Sequence, residues 1–109
     1  MTLQHQQLGA GKWFQLTLSE QMGNIGGEAH RAASAQNANN QDFDLAVRRA
    51  LELIDLTLND PRHRGRIKEI ARLRDLFCAA ATGDTIYNTS LKDIDVYLTQ
   101  FALAARLQR

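Results

Sequence analysis

The side chains able to do chemistry in this sequence fall into three groups by their spacing. The densest is basic: Arg62, Arg64, Arg66, Lys68, Arg72 and Arg74 put six of the chain's 13 Lys/Arg residues between positions 62 and 74. A basic start to a helix opposes the macrodipole, whose N-terminal end favours anions. A bound phosphate or RNA would reconcile the two, with Arg62, Arg64, Arg66, Lys68 and Arg72 joining the free backbone N–H groups of that helix start. The second group is His5, His30 and His63. His5 falls in a polar lead-in, and His63 in a basic turn where neighbouring positive charge disfavours its protonation. His30 is two residues from Glu28, and residues two apart on a helix do not face each other, which weakens an acid–base pair there. The third is Cys78, the only cysteine, which excludes an intrachain disulfide and, flanked by Phe77, Ala79 and Ala80, reads as a core thiol. Phosphate loops, His-Glu-x-x-His, Gly-x-Ser-x-Gly and paired Glu-x-x-His motifs are absent, so no catalytic residue, cofactor or metal site is expected.

Winding residues 61–81 at about 100° per residue sends Arg64, Lys68 and Arg72 outward, but Arg66 and Arg74 into the apolar arc. An inward arginine needs a carboxylate, because a lone buried charge is very costly. Glu28 and Asp55 are the candidates, so Glu28, Asp55, Arg66 and Arg74 form an expected buried polar network. An enzyme built on Glu28, His30, Asp55 and Arg74 requires instead that these four converge on an open pocket.

The elements that must position these groups follow from composition and periodicity. With a formal charge of +1, 44% hydrophobic and 23% charged residues, the 109-residue chain is neither a generally basic protein nor a disordered one. One proline and seven glycines are too few for a many-turned β-sandwich. Apolar residues recur at three and four in four segments, about 12–35, 41–58, 61–81 and 91–107, separated by an Asn/Gln-rich link, Asn59-Asp60-Pro61 and Thr82-Gly83-Asp84. Ser90 with Asp93 forms a capping box for the last. Short links and four stripes predict an all-α, antiparallel up-and-down four-helix bundle over 12–109, preceded by a flexible segment, 1–11. The first helix is expected to run on through Gly23, Gly26 and Gly27, because the stripe keeps its phase across them; 23–27 is its one place for a kink.

Two strips fall outside the inner stripes. Ser19, Gly23, Gly26 and Gly27 form a strip of small residues that lets another helix approach, either the last helix or a symmetry mate. Val96, Leu103 and Leu107 line the outer side of the last helix. A chain this short cannot bury all its apolar surface alone, so these residues suggest an association surface, a homodimer or a complex with a protein partner. The competing cover is the N-terminal segment carrying Leu3 and Leu8. No segment has the charge pattern of a secretory signal or the length of a membrane span, and the expected compartment is the cytoplasm.

The runs Gly27-Glu28-Ala29-His30-Arg31, Arg49 to Thr57, Gly65 to Arg74 and Phe101 to Arg106 resemble a set of small prokaryotic all-helical proteins, from which no catalytic residue carries over. The bundle is also similar in plan to HEPN domains, the helical partners of small nucleotidyltransferases and, in some members, RNA-cleaving toxins. That resemblance implies an RNA- or nucleotide-phosphate-binding module using the basic cluster. The ribonuclease members carry an Arg four to six residues before a His; no Arg here precedes a His at that spacing, so no ribonuclease residue is implied.

Overall fold

The computed structural model describes residues 11–38, 40–84 and 86–107. Among them there is no strand. Four helices, α1 (Leu18–Ala35), α2 (Asn40–Leu58), α3 (Ile67–Thr82) and α4 (Leu91–Leu107), are joined by short links, with 3-10 turns at Trp13–Gln15 and Pro61–Arg66. The expected flexible segment 1–11 lies outside the described residues apart from Gly11, and so do His5, Leu3 and Leu8.

Local chemistry sets each boundary. α1 begins six residues later than the apolar stripe suggests, because Thr17 is extended and closes a capping box with Glu20: Glu20 N–H donates to Thr17 Oγ1 at 3.1 Å and Thr17 N–H to Glu20 Oε1 at 2.9 Å. The Thr-x-x-Glu signal stood in the sequence, but the stripe runs through it. α3 ends where Gly83 takes the left-handed conformation (φ 78°), so that Asp84 N–H reaches Ala79 O at 2.8 Å. The Ser90–Asp93 box opens α4, with bonds of 3.0 and 3.1 Å. Between α2 and α3, Asp60 caps the Pro61 turn by accepting from Arg62 N–H at 3.0 Å.

The inner stripes meet in one core: Met22, Ile25 and Ala29 of α1, Ala50 and Ile54 of α2, Ile70 and Phe77 of α3, and Ile94 and Leu98 of α4, all buried, with Trp13 closing one end. α1 is the central helix and packs most extensively on α4 and α2, whereas α3 touches α2 and α4 more sparingly. Gly23 and Gly26 make the α1–α4 contact close. A Cβ at Gly23 would stand 3.0 Å from Ala102 Cα, and one at Gly26 would stand 3.0 Å from Leu98 Cβ. α1 therefore does continue through its glycines. Two of them lie against the chain's own last helix and are not left over as a surface for a symmetry mate, which corrects that half of the expectation for the strip. Gly27 faces open space and Ser19 is half-buried.

Candidate functional site

Three polar constellations come out of this packing. The first was not foreseen. At the end of the bundle closed by Trp13, the fully buried Gln21 amide donates to Trp13 O at 2.9 Å and to Asp60 Oδ2 at 3.1 Å, while its Oε1 lies 2.8 Å from His63 Nε2. Trp13 Nε1–H donates to Thr57 Oγ1 at 3.2 Å, and the Thr57 hydroxyl donates to Leu53 O at 2.8 Å. Asp60, 1% exposed, also receives Arg62 Nε and Nη2, the latter at 2.6 Å, and Arg62 Nη2 reaches on to Leu16 O at 2.6 Å. The Arg62 guanidinium holds the Asp60 carboxyl far below the usual carboxylate range. Burial pushes it up, but the Arg62 N–H, the Gln21 amide and His63 add to the lowering and outweigh it. The knot ties the Trp13–Gln15 turn, α1 and the α2–α3 link together. None of its buried side-chain N or O atoms lacks a hydrogen-bond partner, so it reads as structure rather than as a reaction centre. Asn59-Asp60-Pro61 gave only a helix break in the sequence, and nothing local announced that Gln21 would be its partner 39 residues away.

The knot removes one member of the expected phosphate set and changes the surroundings expected for His63. Arg62 is committed to Asp60 and Leu16. His63 is 7% exposed and sits 3.4 Å from the Asp60 carboxylate, not among free cations in an open turn. Arg66 overturns its inward expectation: it is exposed and its Nε lies 3.6 Å from Glu69 in the first turn of α3. The reason is backbone phase. α3 starts only at Ile67, and Arg66 itself has φ −119° and ψ 9°, so a wheel extrapolated back through the 3-10 turn misplaces it. Arg64, Lys68 and Arg72 are exposed, as the wheel placed them.

The second constellation is the expected ion-pair network, which does not form as a unit. Arg74 Nε donates to Asp55 Oδ1 at 2.8 Å across α3 and α2, with the side chains 38% and 51% exposed, so the pair is peripheral rather than buried. That hydrogen bond, together with the charge behind it, holds the Arg74 guanidinium above its ordinary range. Glu28, which is buried, lies 2.9 Å from Arg31 one turn along α1.

The third is a cleft of about 420 Å³ between α1 and α2, lined by Glu28, His30, Arg31, Asp42 and Arg49 among others. Here Glu28 and His30 meet one cavity, but His30 Nδ1 turns to Asp95 Oδ2 of α4 at 2.8 Å, and Asp55 and Arg74 line other surfaces. The four residues of the enzyme reading are therefore not brought together. Arg49 Nε is buried in that wall with no hydrogen-bond partner among the described residues. Those residues contain no group of three or more His, Cys, Asp or Glu spaced to hold a metal ion.

The proposed association residues divide. Gly23 and Gly26 are consumed by α4, whereas Val96, Leu103 and Leu107 are 66%, 55% and 78% exposed. No helix among the described residues is long and apolar enough to cross a membrane. No protein-family model matches the chain, and neither a curated protein nor a solved structure matches it.

Proposed function

We propose that this protein is a non-enzymatic, cytoplasmic bundle of antiparallel up-and-down order that acts by association, its partner being a second copy docked on the outer side of α4. The observation that carries this reading is the exposure of Val96, Leu103 and Leu107 on a helix whose opposite side is already filled by the core. Their spacing at seven and four puts the three on one side of the helix. Burying each contributes about 1.5–3 kcal/mol. A twofold pair buries the strip twice, for on the order of 10 kcal/mol in all. Association costs about 4–15 kcal/mol in lost freedom, which leaves a surplus of about 6 kcal/mol at most, so the expected dimer is weak, with a Kd of tens of micromolar or higher. Sedimentation of the purified protein checks it: a monomer–dimer equilibrium that Leu103→Glu abolishes is expected. A strict monomer up to roughly millimolar concentration would sink the reading, since a Kd that weak leaves a net association free energy of only about 4 kcal/mol.

A polyanion-binding reading has its own observation. Arg64, Lys68 and Arg72 are exposed, and none of them has an ion-pair partner among the described residues. Lys68 and Arg72 stand one turn apart on α3, about 6 Å along the axis. Binding of RNA that declines with added salt is the expected sign.

A further inference from the structure

α3 and α4 touch sparingly, and the space between them is a groove of about 340 Å³. Its size is at the small end of the roughly 300–1,000 Å³ of small-molecule sites. Leu73 and Ile94 are its buried members, Leu76 is half-buried, and Tyr97 stands 39% exposed at the surface. The Tyr97 ring is held edge to face on Phe101 with centroids 5.5 Å apart, and its hydroxyl donates to Glu69 Oε1 at 3.4 Å, so the aromatic group is fixed before anything binds. Arg72 belongs both to this groove and to the exposed cations that have no ion-pair partner among the described residues, with Lys68 one turn before it on α3 and Arg64 in the preceding 3-10 turn.

The two halves of this surface differ in charge. The cation side is positive. The groove carries the carboxylates of Glu69 and Asp93, the latter held by Ser90 N–H at 3.0 Å, so a phosphate is repelled from it while an amino group is welcome. A flat, largely apolar group with an amino substituent, attached to phosphates lying outside on the cations, satisfies both halves. We infer that the α3–α4 groove takes an amino-bearing base of a single-stranded nucleic acid whose phosphates lie along Arg64, Lys68 and Arg72. This rests on the polyanion-binding reading. Stacking on a fixed aromatic ring supplies most of the base affinity, and a carboxylate accepting from the exocyclic amine supplies the preference for cytosine over uracil.

The test uses the full chain and three labelled probes of about ten nucleotides, a length that fills one single-strand site: oligocytidylate, oligouridylate and an abasic ribose-phosphate of the same length, followed by fluorescence anisotropy at low salt. Oligocytidylate is expected to bind about tenfold more tightly than the abasic chain, and more tightly than oligouridylate. Three phosphate contacts predict a log–log salt slope of about −2 for all three. Tyr97→Ala is expected to bring oligocytidylate to the abasic level without changing abasic binding. Should that variant not fold, the comparison of probes on the unaltered protein still decides. Equal affinity for oligocytidylate and the abasic chain overturns the base site and leaves the cation contacts standing; equal affinity for cytosine and uracil overturns the role of the carboxylates. Absence of binding by every probe overturns the base site and the polyanion reading together.

Discussion

Two aspartate–arginine pairs in this molecule have nearly the same contact distance, and their aspartates have opposite surroundings. Asp60 and Arg62 meet at 2.6 Å, Asp55 and Arg74 at 2.8 Å. The Asp60 side chain is 1% exposed and accepts from Gln21 and the Arg62 backbone as well, whereas that of Asp55 is 51% exposed. In water a carboxylate can replace its partner with solvent, so an exposed pair contributes about 0–1 kcal/mol. At the end of the bundle it cannot. The fully buried Gln21 N–H aimed at Asp60 would be left unmatched if the carboxylate were lost, and that penalty, more than the attraction itself, makes the buried member decisive. Bond length alone does not rank the two; the surrounding protein does.

The contrast can be broken experimentally at several points. Asp60→Ala is expected to destabilise by about 3–5 kcal/mol in urea unfolding, and a loss under 1 kcal/mol would show that water reaches the knot. The glycines offer the same contrast without charge. Gly23→Leu drives a side chain into the Ala102 backbone and is expected to cost about 1–3 kcal/mol. Gly27→Ala, with open space around its Cβ, is expected to raise stability by up to about 1 kcal/mol through helix propensity. Equal effects at the two sites would mean that α1 and α4 do not pack as closely as described. Acid supplies a third probe. The Asp60 carboxyl is depressed in the fold, so its contribution is complete above the unfolded value near pH 3.9 and drains away as pH falls from there through the folded value. Urea midpoints that fall below about pH 4 in the wild type, and fall less steeply in Asp60→Asn, are the expected result; parallel curves would detach acid sensitivity from the knot. Smallest of all, Asp55→Ala is expected to change stability by no more than about 1 kcal/mol, and a larger loss would erase the distinction between the pairs.

The helices were largely legible from the chain. Period-three-and-four stripes, the Ser90–Asp93 box, Pro61 and Gly83 are local signals, and each boundary they mark is set by bonds within a few residues. The Thr17–Glu20 box was equally local, and was masked only because Phe14 continues the apolar spacing upstream of it. The outward exposure of Val96, Leu103 and Leu107 could also be read from the wheel of a regular helix. Arg66 could not, because a 3-10 turn winds at a different angle and shifts the phase of everything before Ile67.

By itself, then, the sequence determined where helices start and stop and which side of each is apolar, since those depend on backbone capping and on a periodicity fixed by helix geometry. Only the tertiary structure decided what each polar or small residue is for. It set Gln21 against Asp60 and His63, placed Gly23 and Gly26 under Ala102 and Leu98, and left Arg72 and Tyr97 on one groove between helices that touch sparingly. These pairings join residues that are tens of positions apart. They depend on which helix faces which and at what height, and side chains far apart in the chain acquire a shared environment only when the core brings their helices together.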